Sequence, residues 1–510
     1  MIEQMRQHIE QQGKAIEFVQ LVSKQCQGNF SAFRLALARA SAKCVASLPA
    51  VIFRSLLLML LFFQVCLLGF SQSRRADILA ATPPMGWNSW DSYGRTLNEE
   101  SIKANARWMA KHLKRFGWEY VVVDEGWYLA NLDNDGNDQR VRFEMDAYGR
   151  YLPVRARFPS AGKNLTFRPL ADYLHSLGLK FGIHIIRGIP REAVLKNLPI
   201  SESLFHAGDA SDAADLCPWN TYNFGLNPAH SAAQAYYNSL ARQYASWGVD
   251  FIKIDCISDH PYKGAEIRMF SEAIAKSGRP MVLSLSPGPT AFDKRGEVSK
   301  FAQMWRISDD VWDVWYSNKD FPQGVKNQFA RAALWAGIAR PGHWPDADML
   351  PLGSLRPVAG WGEPRETRLS RDEQRTMLTL WSMFRSPLIM GGNLPRADDW
   401  TTSLLSNTEV IAVDQHSVNN RPVITTDNVV IWTAQPESGN DSYAAIFNIS
   451  EIPQTVHYPW SALGLPSASY RLLDIWEHKN IGSATAVDVR LLPHASVLYR
   501  ATPNHPRDPN

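Results

Sequence analysis

Eight apolar stretches recur along residues 83–393, and amphipathic stretches of helical period separate them. The strand-like runs are PPMGWNSW, YVVVDEGW, LKFGIHII, VDFIKIDC, PMVLSLSPG, AQMWRISDD, GIARPGHWPDAD and SPLIMGGN. Between them lie patterns such as EESIKANARWMAKHLKRFG, SAAQAYYNSLARQYASWG and SRDEQRTMLTLWSMF. Strands that are apolar nearly throughout are covered on both faces, as in a parallel sheet wrapped by helices. Eight such units over residues 82–417 predict an α/β chain closed into a (β/α)8 TIM barrel. An open doubly wound sheet is the alternative, but no Gly-rich phosphate loop follows the first strand. After about residue 418 the helical period disappears. Short strands split by turn residues, among them PVITTDNVVIWTAQP, DSYAAIFNIS and AVDVRLLPHASVLYRA, predict an antiparallel β-sandwich over 418–503.

The N-terminus carries an uncharged run, SLLLMLLFFQVCLLGF, at residues 55–70, with Arg54 before it and SQSRR after it. The run is short for a membrane span and suits the apolar region of a signal peptide. Residues 55–73 are therefore read as a signal peptide or a signal anchor. Residues 1–54, far longer than a usual leading segment, are a doubtful extension. On either reading the bulk of the chain from Arg74 onward is expected to be exported, periplasmic or secreted, and attached to a membrane only if the anchor stays uncleaved. Of five cysteines, only Cys217 and Cys256 lie beyond that run. An even pair suits an oxidising compartment, although two free buried thiols remain open. A net charge of +3 argues against a nucleic-acid partner.

In a barrel of this kind the reacting groups gather at the C-terminal ends of the strands. The runs end on Trp90 and Asp91; Asp124, Glu125 and Trp127; His184 and Arg187; Asp255; Ser286; Arg306, Asp309 and Asp310; and His343, Asp346 and Asp348. One strand-end Asp commonly caps a turn. A ring of carboxylates with Trp describes a pocket that holds a polyol and hydrolyses it by two-carboxylate chemistry. Eighteen Trp in the chain also suit a cleft where sugar faces stack.

Five motifs carry a resemblance to the family 27 glycoside hydrolases, the α-galactosidase family: PPMGWNSWDSYG, VVVDEGW, DFIKIDC, WRISDD and PDADML, in consistent order between Thr82 and Gln415. The resemblance implies a retaining exo-glycosidase acting on α-D-galactosides, with Asp255 as nucleophile and Asp310 as acid/base. Asp309 competes for the second role but is expected to point to the other face. Trp90, Asp124, Lys253, Arg306, Asp348 and Met349 match residues lining the family's sugar site. Glu125, His184 and Ser286 join them by their places in the ring. Lys253, two residues before Asp255, shares its face and is expected to keep it charged. The resemblance also implies a Cys217–Cys256 disulfide, no cofactor and no metal; tight His-x-His pairs are missing. The expected partner is a carbohydrate. A β-L-arabinopyranosidase and an α-N-acetylgalactosaminidase are the alternatives within the class. A non-hydrolytic carbohydrate-binding protein is the alternative outside it, and would have no use for both Asp255 and Asp310.

Three departures from the family pattern bear on substrate and disulfide. Glu125 stands where the family has a second Asp, SLSPG replaces the usual Cys-Glu-Trp or Cys-Ser-Trp, and Cys256 directly follows Asp255 instead of lying two residues on. Glu is longer than Asp by one carbon–carbon bond, about 1.5 Å. In the resembling enzymes this acid pair faces the 4- and 6-positions of galactose. The longer side chain is therefore expected to favour a sugar lacking the hydroxymethyl arm.

Overall fold

The eight apolar runs form eight short parallel strands: β1 (Met85–Asn88), β2 (Tyr120–Val123), β3 (Lys180–Ile186), β4 (Phe251–Asp255), β5 (Val282–Leu285), β6 (Met304–Arg306), β7 (Trp344–Asp346) and β8 (Leu388–Met390). The computed structural model describes residues 78–131, 142–356 and 363–504. The segments read as an N-terminal extension and a signal peptide or anchor, 1–54 and 55–73, lie outside the described residues. Among the described residues no helix is long and apolar enough to cross a membrane.

Each strand pairs with its sequence neighbour from β1 to β7, and β8 pairs with β1. The circuit closes through Leu350, just past β7, which bridges Met390 in parallel and donates its N–H to the carbonyl of Ile389 at 2.8 Å. This is the expected (β/α)8 barrel. The strands are apolar on both faces because one face fills the barrel and the other meets the helices. Gly86 is required in β1: a Cβ there would lie 2.4 Å from the carbonyl oxygen of Tyr120 on β2.

The outer layer comprises α1 (Glu99–His112), α2 (Arg168–Ser176), α3 (Ser231–Trp247), α4 (Gly264–Lys276), α5 (Arg295–Phe301), α6 (Asn327–Trp335) and α7 (Arg371–Phe384). Local chemistry sets their ends. Asn98 accepts from the N–H of Ser101 to start α1, and Ser370 and Glu373 form a reciprocal capping box on α7. Gly248, at φ +83°, ends α3 in the left-handed conformation just before β4.

One feature has no counterpart in the expected strands. Between β3 and α3 the chain leaves the barrel and forms a three-stranded antiparallel sheet from Ile189–Pro190, Ser211–Leu216 and Asn223–Leu226. The middle segment, SDAADL, is mostly exposed, so no buried face left an apolar alternation to read. This excursion carries Cys217 to Cys256, with the predicted disulfide formed across a Cα separation of 6.0 Å.

The helix α8 (Thr408–His416) leads directly into the second domain. Its strands are β9 (Ser417–Thr425), β10 (Val429–Pro436), β11 (Ser442–Asn448), β12 (Gln454–Pro459), β13 (Tyr470–Asp474), β14 (Lys479–Ala484), β15 (Ala486–Leu491) and β16 (Ser496–Pro503). Six of them form one sheet in the order β9-β10-β11-β16-β13-β14, and β12 pairs with β15 as the second layer. Ile431, Ile446, Val456, Trp460, Leu472 and Val487 fill the space between. The run PVITTDNVVIWTAQP, read as one strand, is a hairpin that turns between Thr425 and Val429. Barrel and sandwich are joined by buried and half-buried contacts. Arg385, at the end of α7, donates to the carbonyls of Asp414, Gln415 and Ser417, and Trp315 stacks on His494 with ring centroids 4.1 Å apart.

Candidate active site

Strand register assembles the site before any side chain is considered. Lys253 on β4 stands level with His184 on β3 and Ser284 on β5, and Asp346 on β7 stands level with Arg306 on β6. Level residues of neighbouring strands share a face, so these side chains converge at the C-terminal mouth.

Asp255 ends β4 with its side chain 14% exposed. Its Oδ1 accepts from the N–H of Cys256 at 2.9 Å, and its Oδ2 accepts from Trp219 Nε1 at 3.3 Å. His184 Nε2 lies 3.6 Å from the same Oδ2. Burial alone would raise this carboxyl. The hydrogen bond and charge of His184, the charge of Lys253 and the Cys256 N–H outweigh it, leaving the group below its ordinary value. Lys253 does help keep Asp255 charged, as its shared face predicts, but without a hydrogen bond to it. Its Nζ instead pairs with Asp124 Oδ2 at 2.9 Å and reaches Asp255 only through its field. Asp124 also accepts from Asn88 Nδ2 at 2.6 Å, and against the cost of burial the Lys253 charge holds it well below the usual carboxylate range. His184, 2% exposed, packs against the nucleophile candidate; burial would lower its ring, but Asp124 and Asp255 raise it.

Across the mouth, Arg306 Nη2 donates to Asp348 Oδ2 at 2.6 Å and to Asp310 Oδ1 at 3.2 Å. Asp310 is the open member of this group, with 36% of its side chain exposed against 3% for Asp348. Burial, aided by Asp310 and Asp346, raises Asp348 to about 7, because several carboxylates share one guanidinium. Asp309 turns away from Arg306, its Oδ2 lying 3.9 Å from His260 Nε2. Two non-Gly residues here hold positive φ, Cys256 at 62° and Asp348 at 87°. Such strain is retained where surrounding contacts over-determine the backbone. Beneath the ring, Lys253, Ser284, Ser286, Arg306, Asp346, Asp348 and Met349 help line a cavity of about 20 Å3, room for roughly one water.

Glu125 is the other fixed acid. Its Oε1 accepts from Asn220 Nδ2 at 3.0 Å and pairs with Arg95 Nη2 at 3.0 Å. Burial raises this carboxyl and Arg95 opposes the shift. Arg95 is itself braced on Tyr222, and its stem packs beside Gly126. Trp90 lies two residues past Asn88, the last residue of β1, whose Oδ1 accepts its N–H at 2.8 Å.

Not every strand-end residue joins the mouth. His343 precedes β7 and bonds the carbonyl of Ala302, which puts it at the opposite end of the barrel. The run GIARPGHWPDAD is longer than the three-residue strand within it, and its His lies before that strand, not at the catalytic end where the end of the run would place it. Arg187 turns outward into Asp215 and Glu266. Trp127 is buried and donates to the carbonyl of His184. Conversely, Asn88, Arg95, Trp219 and Asn220 reach the site without having been expected there. Asn88 lay inside a quoted motif, whereas the others depend on contacts between segments distant in sequence.

Residues 226–416 match the family described as Alpha galactosidase A, and residues 426–501 match the Alpha galactosidase C-terminal beta sandwich domain. The chain is 30% identical to an α-galactosidase of Coffea arabica over 85% of its length and 97% of that protein's. It is 28% identical to an α-galactosidase of Cyamopsis tetragonoloba, covering 83% of this chain and 87% of the relative. A solved structure of Abp, a family 27 β-L-arabinopyranosidase from Geobacillus stearothermophilus, superposes with a TM-score of 0.80 at 44% identity, covering 84% of this chain and 98% of that one. A carboxylate-ringed barrel mouth, five family motifs in order and similarity along both domains make this chain a glycoside hydrolase of family 27, the α-galactosidase family.

Proposed function

We propose that the protein is a retaining exo-glycosidase that releases terminal β-L-arabinopyranose, with terminal α-D-galactose as its second substrate. Asp255 attacks the anomeric carbon; the new carbon–oxygen bond forms as the glycosidic bond breaks, and Asp310 delivers its proton to the departing oxygen. Asp310 then takes a proton from water, which displaces Asp255 from the same carbon. Two inversions leave the configuration retained. The roles follow from environment. Asp255 is held ionised by His184 and Lys253, and Asp310 is the exposed carboxyl that can meet a leaving group.

The observation that carries the sugar assignment is the clamp on Glu125. A longer acid could retreat from a hydroxymethyl arm if it were free. Arg95 and Asn220 both hold its Oε1, which leaves Oε2 for the sugar and the side chain no slack. L-arabinopyranose has the ring stereochemistry of galactose without that arm. The 44% identity to a β-L-arabinopyranosidase supports the same order of preference, so the two sugars exchange the ranks that the motifs alone suggested. The test is kcat/KM for the nitrophenyl β-L-arabinopyranoside and α-D-galactoside in wild type and Glu125→Asp. The variant should shift the ratio toward the galactoside by about 10- to 200-fold, the scale of rejecting one carbon in a crowded pocket. A ratio unmoved within about threefold rejects the steric account. We also infer that the chain beyond Arg74 works outside the cytoplasm; the Cys217–Cys256 disulfide supports this. N-terminal sequencing of secreted protein would find a start near Arg74, and a product retained wholly in the cytoplasm would refute it.

A further inference from the structure

The contacts described so far fix the residues assigned above to the glycone. None of them explains a large indole at the edge of the mouth. Trp219 is 43% exposed although its Nε1 donates to the buried nucleophile candidate. Its backbone is not loose: Cys217 is tied by the disulfide to Cys256, and Asn220 is bonded to Glu125. An exposed indole on a fastened backbone is a surface kept available. His260 meets it edge-on, with ring centroids 5.4 Å apart at 86°, and has 38% of its side chain exposed. The far side of His260 faces Asp309, the residue before Asp310. Trp219, His260 and Asp309 thus form a continuous wall from the nucleophile to the acid/base.

The reaction dictates what occupies that position. The leaving oxygen must reach Asp310, so the group it carries lies at the mouth, outside the deep glycone ligands Asp124, Lys253, Arg306 and Asp348. We infer that this wall is a binding subsite for the leaving group and that it takes a second sugar. The apolar C–H face of that sugar stacks on the Trp219 indole, and its hydroxyls bond His260 and Asp309. The inference rests on the assignment of Asp255 and Asp310 given above.

The experiment compares two substrates with one glycone: an α-galactosyl-(1→6)-hexose disaccharide and α-galactosyl fluoride, whose leaving group has no ring to stack. The readout is the ratio of their kcat/KM values, in which effects on the nucleophile cancel. Trp219→Ala should lower the disaccharide-to-fluoride ratio by at least about tenfold. Trp219→Phe, which loses the N–H but keeps an aromatic face, should hold the ratio within about threefold of wild type while both absolute values move together. His260→Ala should lower the ratio in the same direction as Trp219→Ala. If Trp219→Ala slows both substrates in proportion, or Trp219→Phe lowers the ratio as far as Ala, the indole serves only the Asp255 carboxylate and the inference is overturned. A wild-type protein that turns over neither of these substrates nor nitrophenyl β-L-arabinopyranoside would overturn the catalytic assignment as well.

Discussion

At the scale of single residues, the site works by giving like groups unlike surroundings. Asp124 and Asp255 are buried beside Lys253 and His184, and both are held below the ordinary carboxylate range. Asp348, buried among other carboxylates around Arg306, is raised. Asp310 remains the exposed carboxyl of that group. Asp255→Ala should therefore abolish turnover, and azide added to it should yield a glycosyl azide of inverted anomeric configuration. Asp310→Ala should spare nitrophenyl substrates, which need little protonation to depart, and lose at least about a hundredfold on alkyl glycosides. Product analysis by NMR and parallel kinetics on the two substrate classes check both. Wild-type rates in Asp255→Ala would remove it from the nucleophile's role.

At the scale of elements, the excursion between β3 and α3 makes the largest difference. It is a small sheet whose middle segment, Ser211–Leu216, is mostly exposed, while Ile189 and Leu226 pack into the main core. The turn between its second and third strands carries Cys217, Trp219, Asn220 and Tyr222, which touch Cys256, the nucleophile, Glu125 and Arg95 in turn. The disulfide spans a sequence separation of 39 residues. Closing such a loop should stabilise the chain by about 3 to 4 kcal/mol in the chain-entropy model. A Cys217→Ser, Cys256→Ser double variant should lose a comparable amount in denaturant titration. An unchanged midpoint and slope would mean that the remaining contacts of this segment hold it without the bridge.

At the scale of the molecule, the shifted groups of the site give stability a pH dependence. Asp124 and Asp255 have folded values below their unfolded ones. Their contribution is present above about pH 4 and is lost as pH falls through the folded values. Asp348 and His184 are raised in the folded state. Each keeps a proton that the unfolded chain has released, so their effect is to lower stability as pH rises, between about 4 and 7 for Asp348 and from about 6.5 upward for His184. The Tm should accordingly be higher near about pH 5 than near about pH 8, and Asp348→Asn should flatten part of that slope. A wild-type Tm that is flat or rises between those two values would contradict the assigned burial of charge. Arg385, bonded to three carbonyls where α8 meets β9, should make barrel and sandwich unfold together in the same scan.

Strand period, turn residues and local motifs are properties of short windows, so the eight barrel strands, the change to a sandwich near residue 418 and the carboxylates at strand ends were legible in the order of residues alone. Asp255 and Arg306 could be placed because each ends its own strand, with Asp310 in the loop four residues past Arg306, and a barrel brings strand ends together whatever lies between them; their roles came from the family motifs. His343 escaped that rule because an apolar run does not say where its three paired residues begin. The partners of those groups belong to tertiary structure. That Lys253 hydrogen-bonds Asp124 while its charge also acts on Asp255, that Arg95 and Asn220 lock Glu125, and that Trp219 stands over the nucleophile all depend on segments dozens of residues apart meeting in space. No local window contains those distances: Lys253 meets Asp124 because β4 and β2 flank β3 in the closed barrel, and Trp219 and Asn220 reach the mouth because the excursion is tied to Cys256.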